Sequence, residues 1–191
     1  MKNALMVDLE TMAVSPNAAI VSIGACMFDP YGPLDQVMDE TFLVRVSLES
    51  NQEAGRELNA STVMWWLRQA PEAQQNLLED ITNLPAAIGR FTKWFQHETT
   101  ERPDSVWAND PDFDAVILRS AYETVGHIYP LGFWMNRSVR TVGAMAYPDY
   151  RIRKAAMGAV RKAAGTHHRA DVDAVAQARF IIHCYKELGL S

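Results

Sequence analysis

Four acids and a histidine stand where their side chains could share one chemical task. Asp8 and Glu10 are two apart in "MVDLET", and on a strand residues two apart project from the same face. Side by side, two carboxylates repel and hold their protons longer unless a cation lies between them. Hard divalent ions such as magnesium take this kind of oxygen donor. Taken alone the spacing is common, and a strand end running into a loop explains it. Asp114, in "DFDAVILRSAYETV", lies at helical spacing from Ile117, Leu118, Ala121 and Val125, the stripe that should face a core. It reads either as a buried carboxylate in need of a partner or a metal, or as one more first-turn acid like Asp110 and Asp112. Asp173 shares a helical face with Ala176, Gln177 and Phe180. His168 stands five residues before it, where an imidazole can take a proton near neutral pH.

The elements that must carry these groups follow from pattern. "ALMVDL" reads as a short buried strand, "AAIVSIGACMF" as a second and the alternating "ETFLVRVS" as a third. The turn "DPYGPLD" joins the second and third, so the opening is expected to be an antiparallel meander. Helical periodicity begins at "STVMWWLRQAPEAQQNLLED", with Ser61 or Thr62 as cap and Pro71 opening a further helix. "LPAAIGRFTKWFQHE" places Ile88, Phe91 and Phe95 on one face. "DSVWAN" is a short strand, followed by a helix that carries Asp114 and stops at Gly126. The segment 150–164 reads as a basic helix, and Asp171 to Leu188 as the closing one. The expected class is α/β, a mixed central sheet flanked by helices.

At 191 residues and 48% hydrophobic composition, the chain suits one domain, 1–191, with a real core, and is not disordered. It has no apolar run long enough to span a bilayer, and "MKNALMVDLETM" meets acids too early for a secretory signal. Cys26 and Cys184 lie in apolar surroundings without CxxC spacing, as expected of reduced core residues in a cytoplasmic protein. A zinc site from His167, His168 and His183 lacks accompanying cysteine spacing and is set aside. The net charge of −5 is unevenly spread: residues 137–191 hold 10 bases and 4 acids. Such a basic flank either steers a polyanion to one edge or is a solvated helix face.

Taken in order, "MVDLETM", "VWANDPDFDAVIL" and "HRADVDAVAQA" resemble the motifs of the DEDDh superfamily of 3′–5′ exonucleases. The nearest likeness is to phage exodeoxyribonuclease VIII-like proteins and small exoribonucleases, and it covers nearly the whole chain. "IVSIGACMFDP", "STVMWWLRQAPEAQ" and "NRSVRT" match its flanking elements. The resemblance implies a ribonuclease H-like fold and hydrolysis of single-stranded DNA or RNA from 3′ ends, releasing nucleoside 5′-monophosphates. It implies two divalent ions, Mg2+ or Mn2+, held by Asp8, Glu10, Asp114 and Asp173. His168 becomes the general base, selected by the family spacing to Asp173; His167 becomes a bystander and Asp171 a non-ligand. Thr11 and Met12 fall where relatives hold the terminal nucleotide, and a homodimer is common among them. Phe113, Trp65 and Trp66 are stacking candidates or core, and Arg140 either touches phosphate or pairs with an acid. Asp110 departs from the family, which commonly has glycine there. A catalytically silent nucleic-acid-binding domain on the same fold is the alternative reading.

Overall fold

The computed structural model describes residues 3–38, 41–98, 102–165 and 168–190. Six strands form one sheet: β1 (Ala4–Thr11), β2 (Ile20–Phe28), β3 (Thr41–Val46), β4 (Ile81–Thr82), β5 (Ser105–Ala108) and β6 (Asn136–Ser138). Their order is β4-β3-β2-β1-β5-β6. β1, β2 and β3 pair antiparallel as the expected meander, while β5 lies parallel to β1 and β6 parallel to β5. The helices are α1 (Leu48–Glu53), α2 (Ala60–Trp66), α3 (Pro71–Gln75), α4 (Leu84–Glu98), α5 (Asp114–Thr124), α6 (Val139–Ala146), α7 (Tyr150–Ala164) and α8 (Ala170–Glu187). This is the mixed, helix-flanked sheet expected of a ribonuclease H-like chain. Among the described residues no helix is long and apolar enough to cross a membrane.

The alternation of β1 decides what each face does. Leu5, Val7 and Leu9 join a core with Ile88 and Phe91 of α4 and Ile117 and Leu118 of α5. Ala4 and Met6 point the other way, into a second core with Val139, Val160 and the apolar face of α8. Asp8 and Glu10 continue this second row past the end of the apolar packing. α8 is therefore the element that faces them, and it is buried along most of its length.

One residue allows that approach. Gly24 lies opposite Asp8 in the β1–β2 ladder. A Cβ built there would lie 2.0 Å from the Ala170 carbonyl carbon and 2.2 Å from the Asp171 nitrogen. The first turn of α8 thus rests directly on the backbone of β2.

Three local features depart from expectation. α2 is capped by Asn59, whose side chain accepts from the Ser61 N–H, rather than by Ser61 or Thr62. α5 begins only at Asp114, so Asp110 and Asp112 occupy the preceding turn, where the Asp110 carbonyl accepts from Phe113 and Asp114. β4 and β6 are two and three residues long, too short for a periodic signal.

Candidate active site

Asp8 and Glu10 reach the site from β1, Asp114 from the first residue of α5, and Asp173 from the first turn of α8. Asp8 accepts a 2.6 Å hydrogen bond from Gln177 Nε2, one turn beyond Asp173 on α8. Asp114 Oδ1 accepts the Leu9 backbone N–H at 3.0 Å, tying α5 to β1 between the two strand acids. Asp173 Oδ2 accepts the backbone N–H of His168 at 2.9 Å. His168 has φ 61, a left-handed conformation that an ordinary residue holds only under local constraint. Its ring places Nδ1 3.8 Å from Glu10 Oε1 and meets Trp65 and Trp66 edge-on at centroid distances of 5.2 and 5.8 Å. Donor atoms of Glu10, His168 and Asp173 lie within 4.8 Å of one another.

The electrostatics are those of acids brought together before their charge is met. Burial pushes Asp8 well above the usual carboxylate range, and the neighbouring Asp114, Glu10 and Asp173 push it further, against the Gln177 hydrogen bond. Burial, then Asp173 and Asp114, raise Glu10 to about 8, with Arg161 acting in the opposite sense. Burial raises Asp114 to about 7, against backbone hydrogen bonds led by that from Leu9. Clustered carboxylate oxygens of this kind fit a hard divalent cation, whose charge offsets the repulsion and desolvation that otherwise favour protonation. Arg161 Nε, 3.9 Å from Asp173 Oδ1, is partial compensation at the rim.

Two cavities adjoin. One of about 370 Å³ is lined by Asp8, Leu9, Asn109, Asp110, Phe113 and Asp114, with Arg140 at its edge. The other, of about 460 Å³, is lined by Leu9, Glu10, Thr11, Trp65, Trp66 and Phe113, among others. Trp65 is 43% exposed, whereas Trp66 is buried and donates its Nε1–H to the Thr11 carbonyl at 3.0 Å. Both tryptophans therefore line the cavity, Trp65 as an exposed wall and Trp66 as a buried, anchored one. Met12 does not line this cavity; it packs with Ala19, Val21 and Trp66.

Residues near the site sort accordingly. Asp171 is buried but turned into a two-point ion pair with Arg169, both contacts at 2.9 Å. Arg140 pairs with Asp110 at 3.1 Å. His167 lies outside the described residues, and His183 lies far down α8, beside Asp35 and Arg179. Arg161 and Gly24 were not singled out by spacing. Helical spacing placed Gln177 on the Asp173 face, one turn on, but gave it no part in the site.

Residues 3–185 match the family described as 3′-5′ exoribonuclease Rv2179c-like domain. The chain belongs to that family. It is a 3′-5′ exonuclease. An exodeoxyribonuclease of Enterobacteria phage T4 is 24% identical over 156 residues, covering 71% of this chain and 68% of that protein. The nuclease domain of 3′hExo, a DEDDh family member bound to rAMP, superposes with TM-score 0.65 at 13% identity, covering 96% of this chain and 91% of that one. Pop2p of S. pombe, in its Mg2+- and Mn2+-bound form, gives TM-score 0.67 at 11% identity, covering 99% and 85%. These structural likenesses give the exonuclease its fold: that of the DEDDh nucleases.

Proposed function

We propose that this exonuclease removes nucleotides from single-stranded 3′ ends with two divalent ions held by Asp8, Glu10, Asp114 and Asp173, and with His168 as general base. The observation that supports the reading is that Asp8 and Asp114 line one of two joined cavities and Glu10 the other, with donor atoms of His168 and Asp173 within 4.8 Å of Glu10's. RNA is the first substrate class, because it is that of the matching family. The phage relative favours DNA as the second. A metal requirement agrees with Pop2p, whose structure holds Mg2+ and Mn2+.

When bound, the ions supply a water of lowered pKa and charge stabilisation at the scissile phosphate and the departing oxygen. The chain's own residues do the rest. The His168 imidazole takes the attacking water's proton, a step typically worth about 100- to 10,000-fold in rate. The water oxygen bonds to phosphorus, the bond to the preceding nucleotide's 3′ oxygen breaks, and a nucleoside 5′-monophosphate leaves. Asp173 fixes the His168 backbone, and Trp65 and Trp66 confine the ring. Gln177 sets the orientation of Asp8. Thr11, Trp65 and Phe113 form the walls against which the terminal nucleoside rests, base–aromatic stacking being indifferent to sequence.

The test is digestion of 5′-labelled single-stranded RNA and DNA with magnesium, manganese or EDTA, with Asp8→Asn and His168→Ala beside the wild type. A metal-dependent ladder shortening from the 3′ end, lost in both variants, is the expected result. Full activity in EDTA, or in either variant, would overturn the site assignment.

A further inference from the structure

The exonuclease reading leaves a large feature unused. A cleft of about 580 Å³, larger than either cavity at the site, lies between α6, α7 and α8, and its lining includes Arg140, Arg153, Lys154, Arg161 and Lys162. None of the described residues lining it is acidic. Its floor is apolar, with Val139, Met157 and Phe180, and Tyr150 stands 64% exposed at its edge.

The order of the cavities gives this cleft a role. The acid cavity shares Leu9 and Phe113 with the aromatic one. It shares Asn109 and Arg140 with the basic cleft. The three therefore adjoin in the order aromatic pocket, carboxylates, basic cleft. The aromatic pocket has no lysine or arginine in its lining and suits a base. The cleft on the far side suits a backbone of phosphates.

We propose that the α6–α7–α8 cleft carries the phosphodiester backbone of the strand upstream of the scissile bond, so that the substrate's 5′ portion leaves over α7. The direction rests on the exonuclease reading: the 3′-terminal nucleoside fills the aromatic pocket, and only the opposite opening remains for the rest of the strand. The cations differ in what already holds them. Arg140 is engaged by Asp110, Arg161 leans toward Asp173, and Arg153 donates to the Tyr147 carbonyl and lies over Tyr150. Among the described residues no carboxylate pairs with Lys154 or Lys162, and both are exposed. From Lys154 to Lys162 is eight residues, about 12 Å along a helix, so the two ammonium groups meet different phosphates. The basic flank seen in the sequence is on this account a track.

Lys154→Gln, Lys162→Gln and the double variant test it, with Lys154→Arg/Lys162→Arg as the charge-preserving control. Relative kcat/KM is measured on 5′-labelled single strands of 2, 4, 8 and 12 nucleotides over a salt series. The double glutamine variant is expected to lose about tenfold on the dodecamer through KM, and progressively less on shorter strands. Its salt dependence should be shallower by about 1.4 in log–log slope, roughly 0.7 for each lost phosphate contact. The arginine control should retain both. An equal loss at every length, or none, overturns the proposal. Anisotropy with a dodecamer protected by 3′ phosphorothioate linkages reads binding without cleavage. A tenfold weakening there supports the track even if no strand is cut, which would overturn the exonuclease mechanism alone; unchanged binding overturns the track while leaving trimming intact.

Discussion

Replacing Gly24 by alanine adds one methyl group and tests how the site is assembled. The new carbon would lie 2.0 Å from the Ala170 carbonyl carbon and 2.3 Å from its oxygen, where carbons rest at about 3.5–4.0 Å. Both obstacles are backbone, so no rotamer change relieves them. The start of α8 must recede from β2 by about 1.5 Å, taking Asp173 and His168 away from Asp8 and Glu10, if contact is to return to the ordinary range. A misplacement of about 1 Å at a reacting centre costs on the order of 100-fold, which is the expected fall in kcat/KM. Overpacking costs about 1–3 kcal/mol, or roughly 2–12 °C in Tm for a chain of this size. Gly89→Ala is the matched control: it lies on α4, a Cβ there meets nothing within 4 Å, and alanine favours a helix over glycine by about 1 kcal/mol. Initial rates on a labelled single strand and thermal melts with and without Mn2+ are read for all three proteins. Gly24→Ala with wild-type rate and Tm would refute the claim that α8 sits against the sheet at this point.

Glu10 and Asp114, raised to about 8 and about 7, keep protons that the unfolded chain releases near the ordinary 4.5 and 3.8. With the unfolded state binding fewer protons, their combined effect is that metal-free stability falls as pH climbs from about 4 to about 8. Melts in EDTA should show a shallower fall for Asp114→Asn than for wild type, and added Mg2+ should flatten the wild-type curve; identical slopes for the two proteins would refute this. Arg56 is buried and donates to the Ala18 and Ile117 carbonyls and to Ser120 and Thr124. Arg56→Ala strands buried acceptors at about 1–3 kcal/mol each, so a Tm loss of several degrees is expected in a thermal scan, and none would argue against the clamp. Asp110→Asn releases Arg140 from an exposed ion pair, a change of at most about 1 kcal/mol. KM for a single strand should fall severalfold in steady-state assays, whereas a raised KM would assign Asp110 a direct part in binding.

Much of the site was legible because strand and helix periods are simple. The two-residue spacing of Asp8 and Glu10 gave their common face, and Asp114 on an apolar stripe did prove buried. The meander and α4 followed from alternation and from the placing of Ile88, Phe91 and Phe95. What escaped depends on approach between distant segments. Nothing local marks Gly24 as the point where a helix 146 residues later comes to rest. Arg161 reaches Asp173 from another helix, and Asp171 is buried yet neutralised by Arg169 two residues earlier. The Asn59 cap was missed because Ser61 and Thr62 offer the same chemistry in the same stretch.

The long separation between β1 and α8 has a consequence for how the enzyme is made. His168 and Asp173 are synthesised about 160 residues after Asp8 and Glu10. At about 5–20 residues per second, a nascent chain spends roughly 8–30 s with the strand acids made and His168 and Asp173 still missing. A translation product interrupted before residue 168 also lacks α8, leaving the Ala4–Met6–Cys26–Phe28 face of the sheet bare. Such a fragment exposes apolar surface and lacks the proposed general base, so trimming is expected to begin only once α8 has docked on the sheet.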